Sequence, residues 1–273
     1  NIAAHYDLGN DFFQLFLDPT MNYSCGIFPS DDVDMEQASL AKMDAICRKL
    51  DLRPEDHLLE IGTGWGGLAI YAAGRYGCRV TTTTISRRQH ELATARVAEA
   101  GLQDRVTLLL EDYRDLEGRF DKLVSVEMIE AVGHQYLDTY FAKCSELLRP
   151  EGMMLLQAIT IRDQLYDESV KRVDFIKRYI FPGGFIPSVN AISDSVARAS
   201  DMRLFHLQDI GPHYATTLRR WRERFFENID AVRELGYPES FVRMWEFYLC
   251  YCEGGFSERV ISDVHLVAEK PHI

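Results

Sequence analysis

Apolar positions along the chain follow two rhythms, the short runs of strands and the wider spacing of amphipathic helices, and the two alternate. Residues 57–61, His-Leu-Leu-Glu-Ile, form a short apolar run ending in glycines, and residues 65–77 follow as a helix. The β-branched stretch 78–84 predicts the next strand. Ser86-Arg87-Arg88-Gln89 has the Ser-x-x-Gln form of a capping box and starts a helix running to about Ala100. Strands are expected near 105–110 and 121–126, then a helix over 135–148. A turn at Pro150-Glu151-Gly152 leads into a strand over 153–161. This order predicts an α/β fold, a parallel sheet covered by helices on both faces. Beyond residue 161 the rhythm breaks into a polar helical insert, 162–200, containing Phe181-Pro182-Gly183-Gly184, before strands resume near 203–210 and 261–268.

Composition narrows the class. The 273 residues are 47% hydrophobic and 26% charged, which suits one core plus an elaboration. A formal charge of −12 disfavours nucleic acid as a partner. No run of roughly 18 apolar residues would span a bilayer and no signal peptide is evident, so the chain reads as soluble and cytoplasmic. The charge is uneven: residues 1–160 carry a net −10, residues 161–224 a net +3 and residues 225–273 a net −5. The basic segment clusters Lys171, Arg172, Lys177 and Arg178, then Arg219, Arg220, Arg222 and Arg224. Phe175, Tyr179, Phe181, Trp221, Phe225 and Phe226 are interleaved. Basic residues beside exposed aromatics suit a phosphate headgroup at a membrane interface, and solvated faces of two amphipathic helices are the plainer alternative. The six cysteines show no metal-type pairing. Cys250 and Cys252 read as small buried thiols in a helix. Asp31-Asp32-Val33-Asp34 lacks the spacing of a calcium loop and reads as a helix N-cap region.

Glu60-Ile61-Gly62-Thr63-Gly64-Trp65-Gly66-Gly67 sits where a strand turns into a helix, the place where such a sheet binds its nucleotide. It matches both the dinucleotide pattern G-x-G-x-x-G and the methyltransferase form E-x-G-x-G-x-G. An acidic Glu60 is ill suited to a pyrophosphate but suits the cationic sulfonium and ammonium of S-adenosylmethionine. A nicotinamide site would also want an acid at the end of the second strand, where this chain has Thr84-Ile85-Ser86. After the third strand, Asp112 offers a carboxylate to an adenine amino group and Tyr113 a ring to cover its face.

The segments His5-Tyr6-Asp7-Leu8, Tyr23-Ser24-Cys25, the glycine loop, Ile85 to Gln89, Tyr179 to Gly184 and Pro187-Ser188 occur in order over essentially the whole chain. On them the chain resembles the cyclopropane fatty-acid synthases and mycolic acid cyclopropane synthases. The resemblance implies a class I S-adenosylmethionine methyltransferase fold, Rossmann-like, with a seven-stranded, mostly parallel sheet, a helical cap over residues 1–50 and a lid-like insert. Longer members carry an extra N-terminal domain, consistent with a chain that starts at Asn1. Loop and motifs together assign the cofactor to Tyr23, Ser24, Glu60, Gly62, Thr63, Gly64, Thr84, Ile85, Gln89, Asp112 and Tyr113.

The chemistry implied is methyl transfer to an isolated alkene, which demands a dry cavity and close approach. The carbocation formed is best faced by aromatic rings, for which Tyr6, Phe181 and Tyr214 are candidates. A base must then remove a proton. The resemblance implies a bound bicarbonate held by a cysteine, a glutamate, a histidine, an isoleucine backbone group and a tyrosine, and matches Cys25, Glu130, Ile159 and Tyr214. The family histidine falls on Gln157, which can donate to an anion but cannot carry a proton. Without the resemblance, Cys25 and Tyr214 read equally as core residues, Glu127 or Glu130 as a helix cap, and His134 and His213 as structural or rim residues. The expected substrate is an unsaturated fatty acyl phospholipid at the inner face of the membrane, giving a cyclopropane. Methyl-branched or methylated-diene products, and small-molecule N- or O-methylation, stand as alternatives. A homodimer is compatible with the resemblance.

Overall fold

The computed structural model describes residues 8–30 and 32–272; Tyr6 lies outside them. Seven strands form one sheet: β1 (His57–Ile61), β2 (Arg79–Thr83), β3 (Val106–Leu109), β4 (Phe120–Val126), β5 (Leu148–Ile161), β6 (Arg203–Asp209) and β7 (Ile261–Glu269). Their order is β3-β2-β1-β4-β5-β7-β6. β1 to β5 pair in parallel, and β7 runs antiparallel to both its neighbours. Strand order reverses between β1 and β4, and the crevice beyond the carboxyl ends of those strands is the place for a ligand.

Among the described residues the first helices are α1 (Asn10–Gln14) and α2 (Met35–Lys49). Asp34 caps α2 in a reciprocal box with Gln37, in keeping with an N-cap reading of that acidic run. Next come α3 (Gly67–Tyr71), which continues as a π-helical turn over Ala72–Tyr76, α4 (Arg87–Glu99) and α5 (Leu137–Leu147). At α4, Ser86 caps Gln89 N as expected, while the Gln89 side chain meets Thr84. The turn expected before β5 lies inside it: Phe120 pairs with Leu148 and Lys122 with Met153, so residues 149–152 form a bulge.

Between β5 and β6 stand α6 (Asp163–Lys171), a π-helical turn (Ile176–Ile180) and α7 (Val189–Ala199). A second helical elaboration, not anticipated as such, lies between β6 and β7: α8 (Gly211–Glu227), α9 (Ile229–Glu234) and α10 (Glu239–Ser257). It explains two departures from expectation. Trp221 and Phe225 face the core at 1% and 0% exposure and are no surface aromatics. They join Phe12, Phe13, Phe16, Trp65 and Trp245 in an aromatic cluster in which Phe12 meets Trp245 edge-on at 5.0 Å between centroids. Cys250 is exposed and accepts from Arg222, because residues two apart on a helix lie on nearly opposite faces and only Cys252 turns inward. All six cysteines are free.

Candidate active site

The glycine turn is built by backbone geometry. Gly62, Gly64 and Gly66 have φ of 105°, 53° and 85°, a region that favours glycine. Gly62 N and Thr63 N both donate to Thr83 O, binding the turn to β2. A Cβ on Gly67 would stand 2.6 Å from Thr20 O, so only glycine lets residues 20–22 lie against α3. Arg96 of α4 secures the same junction by donating to the carbonyls of Pro19, Thr20 and Trp65. Trp65 Nε1 reaches Asn10 at 2.8 Å.

These elements enclose a cleft of about 1010 Å³. Tyr23, Ser24, Glu60, Gly62, Thr63, Gly64, Thr84, Ile85, Gln89, Asp112 and Tyr113 all line it. Glu60 is buried, accepts from Thr82 at 2.6 Å, and is pushed up to about 7 by burial. Asp112 is already paired with Arg114, whose guanidinium holds its carboxyl below the ordinary range. Ile85 is exposed on the rim, and Gln89 is fixed by Thr84 at 2.9 Å.

At the inner end of the cleft lies a cluster of acids and amides that sequence reasoning resolved only in part. Glu127, directly after β4, has φ of 47° and faces the cleft. Its Oε1 accepts from Cys25 N at 2.9 Å and from Gln157 Nε2 at 2.8 Å, and its Oε2 from the Tyr214 hydroxyl at 2.5 Å. Gln157 Nε2 also donates to Asp263 Oδ2 at 2.9 Å, while its Oε1 meets His265 Nε2 at 3.0 Å. Lys49 donates to His265 Nδ1, so the imidazole proton sits on Nε2 and the amide is oriented with its NH2 toward the two carboxyls. Burial and Lys49 push His265 well below its ordinary value and keep it neutral. Burial, then the charge of Glu127, hold Asp263 well above the carboxylate range.

Glu130 Oε1 accepts from Ile159 N at 2.7 Å, and its Oε2 is buried without a hydrogen-bond partner among the described residues. Burial, with Glu127 second, pushes this carboxyl up to about 8. Cys25 offers its backbone N–H to the cluster; its thiol points to Gly26 O and Ile210 O, and burial pushes it up. The Tyr214 ring stacks on Phe256 at 4.4 Å. The structure thus brings Cys25, Gln157 and Tyr214 onto Glu127, and Ile159 onto Glu130. Lys42, wholly buried, stands nearby with its ammonium on Asn22 and Ser24. His213 accepts from Phe28 N and His134 packs edge-on against Phe185.

Glu127, Asp263, His265 and Lys42 were missed. A signal existed for two of them: Asp263 and His265 are two apart in the otherwise apolar stretch 263–268, hence on one face of the buried part of β7. Opposite them in register stand Ile159 and Gln157.

The sheet order and the glycine turn at its switch point define a class I S-adenosylmethionine methyltransferase domain. More particularly, the chain belongs to the mycolic acid cyclopropane synthetase family, whose family model matches residues 1–266. It is 45% identical over 263 residues to the tuberculostearic acid methyltransferase UfaA1 of Mycobacterium tuberculosis, covering 94% of this chain and 61% of that protein. It is 44% identical over 258 residues to the cyclopropane-fatty-acyl-phospholipid synthase of Escherichia coli strain K12, covering 94% and 64%. The crystal structure of mycolic acid cyclopropane synthase CmaA1 complexed with SAH and CTAB superposes with a TM-score of 0.91 at 32% identity, covering 98% of this chain and 97% of that one. The chain thus spans less than two thirds of the length of the first two relatives.

Proposed function

We propose that the chain is the catalytic domain of an S-adenosylmethionine-dependent methyltransferase acting on the double bond of an unsaturated fatty acyl chain carried on phospholipid, with a cyclopropane as product. The observation that carries this reading is the single cleft joining the glycine turn to the Glu127 cluster, so that a methyl donor and a proton acceptor share one space. The residues fit the donor. Left-handed glycines leave room for close backbone approach, and a Cβ on Gly64 would meet nothing within 4 Å among the described residues. The buried Glu60 carboxyl, pushed up to about 7, matches a cationic ligand, which would favour its ionised form. Ile85, Met128, Val132 and Tyr136 add apolar surface. When bound, S-adenosylmethionine supplies an electrophilic methyl group to the alkene.

The Tyr214 and Phe181 rings belong to one aromatic cluster and suit a developing positive charge without trapping it. Loss of a proton then completes the product. The resemblance implies bicarbonate as the base; here Cys25 N–H, Gln157 and Tyr214, three of the groups it would use, already donate to Glu127.

Lipid docking is supported by a patch on the elaborations. Val173, Tyr179, Phe247 and Tyr251 are exposed around Phe175, and Arg178 stands 5.6 Å over the Tyr179 ring. The basic residues do not all serve it: Lys177 turns back to Ser169 O and Arg172 O, and Arg222 pairs with Glu253. Among the described residues no helix is long and apolar enough to cross a membrane, so the reading is of peripheral contact.

A methyl-branched product is the second reading, favoured by the 45% identity to a tuberculostearic acid methyltransferase. Mass spectrometry of lipids from cells expressing the protein separates the two. A gain of one CH2 with loss of ozonolysis at the double bond supports a ring, and a gain of CH2 with ozonolysis retained supports methylation without closure. No change in any lipid refutes both.

A further inference from the structure

We propose that Glu127 is the base of the reaction, its carboxylate standing where a bicarbonate would otherwise be held. The inference rests on the acyl-methyltransferase reading for its substrate, but its geometry is independent of that reading. Each Glu127 oxygen is aimed at donors that belong to the expected anion site: Cys25 N–H and Gln157 Nε2 on Oε1, Tyr214 on Oε2. Backbone and amide N–H groups can only donate, so the group they share is an acceptor. One set of donors cannot hold two anions at once, and here a side chain tethered to β4 fills the place. A tethered base also removes the need to capture a small anion from solution.

The groups around Glu127 fix the donors that face it. His265 pins the Gln157 amide so that its NH2 serves both Glu127 and Asp263. The Lys42 ammonium is the buried cation nearby, and it is held by neutral acceptors, Asn22 and Ser24. Glu130 is engaged by Ile159 N and is not among the groups that touch Glu127 through a hydrogen bond.

The step balances without an outside reactant. The alkene π pair forms the new C–C bond as the methyl–sulfur bond breaks and its electrons stay on sulfur. A C–H pair of the resulting cation then closes the ring, or forms a new double bond, and the proton passes to a Glu127 oxygen, giving a neutral carboxyl group.

Glu127→Gly is the decisive variant, because at φ of 47° glycine is favoured and the fold is expected to survive. Turnover is read on vesicles of dioleoyl phosphatidylglycerol in buffer stripped of carbon dioxide, with and without added bicarbonate. The expected result is a wild type indifferent to bicarbonate, and a glycine variant slowed by roughly 10²–10⁴-fold, the scale of a lost general base, and restored at least in part by bicarbonate. A wild type that needs bicarbonate, a Glu127→Gln variant with undiminished turnover, or a glycine variant that bicarbonate does not restore would each overturn the proposal. A second arm needs no lipid: titration of 13C-bicarbonate followed by 13C NMR should show saturable binding to the glycine variant and none to wild type. Saturable binding to wild type refutes the Glu127 assignment. If wild type methylates no vesicle while the NMR arm behaves as expected, the substrate reading fails and the occupancy of the anion site by Glu127 stands.

Discussion

Replacing Glu130 by glutamine removes one titrating proton while keeping the shape and the acceptor that Ile159 N uses. Burial pushes the folded carboxyl from its ordinary 4.5 up to about 8. An acid raised on folding binds more protons in the native state, so its contribution to stability is fully present below the unfolded value and is lost as pH rises through the folded one. Across the window from 4.5 to about 8, the slope approaches about 1.4 kcal/mol per pH unit. Between pH 6 and pH 7.5 the wild type should therefore lose about 2 kcal/mol that the Glu130→Gln variant keeps. Glu60 is raised by burial without help from Glu130 and tilts both proteins equally, while Asp263 is raised partly by the charge of Glu130, so the difference between the two curves reports Glu130 together with its coupling to Asp263. Urea unfolding at both pH values gives the two free energies. Parallel pH dependences in wild type and variant would refute the burial argument. Because the wild-type carboxyl is neutral at pH 7, the variant should bind S-adenosylmethionine as wild type does, which calorimetry checks. Turnover that falls in the variant while binding holds would place the acid form of Glu130, and its buried Oε2, in the reaction.

Three further substitutions test the architecture. Tyr214→Phe removes the hydroxyl that donates to Glu127 Oε2, a bond to a charged group worth about 1.5–3 kcal/mol; kcat should fall roughly 10–100-fold at that energy with cofactor affinity unchanged, and an undiminished kcat would count against the contact. Gly67→Ala places a Cβ 2.6 Å from Thr20 O and 2.8 Å from Asn22 Nδ2; a loss of about 1–3 kcal/mol from overpacking should appear in thermal unfolding, together with weaker cofactor binding as residues 21–24 shift in the cleft wall. Arg96→Ala strips three carbonyls of their shared donor, and chemical denaturation should show a loss of about 2 kcal/mol or more.

Much of this molecule was legible because its information is local. A run of β-branched threonines favours the strand β2, and a serine three residues before a glutamine starts α4. Where a local rule met a tertiary one, the tertiary one won. The turn residues at 150–152 are absorbed as a bulge because β5 pairs with β4 on both sides of them, and Trp221 and Phe225 of α8 face inward because α1 and α10 cover them. The anion site shows the limit most clearly. Its residue types could be carried over one by one from a resemblance, but what occupies the site depends on where chains of distant sequence converge. Glu127 from the end of β4, Gln157 from β5, Asp263 and His265 from β7, and Cys25 from a loop before α2 meet only because β5 stands between β4 and β7. No spacing records that meeting. A sequence that replaces a histidine with Gln157 reads as a site deprived of its proton carrier; the fold shows a neutral His265 one strand away, holding that glutamine by its carbonyl oxygen so that its amide NH2 serves an internal carboxylate. The same substitution that seemed to weaken the site is thus the one that fits it to Glu127, since a glutamine NH2 can donate to Glu127 and Asp263 together and an imidazole N–H to only one of them.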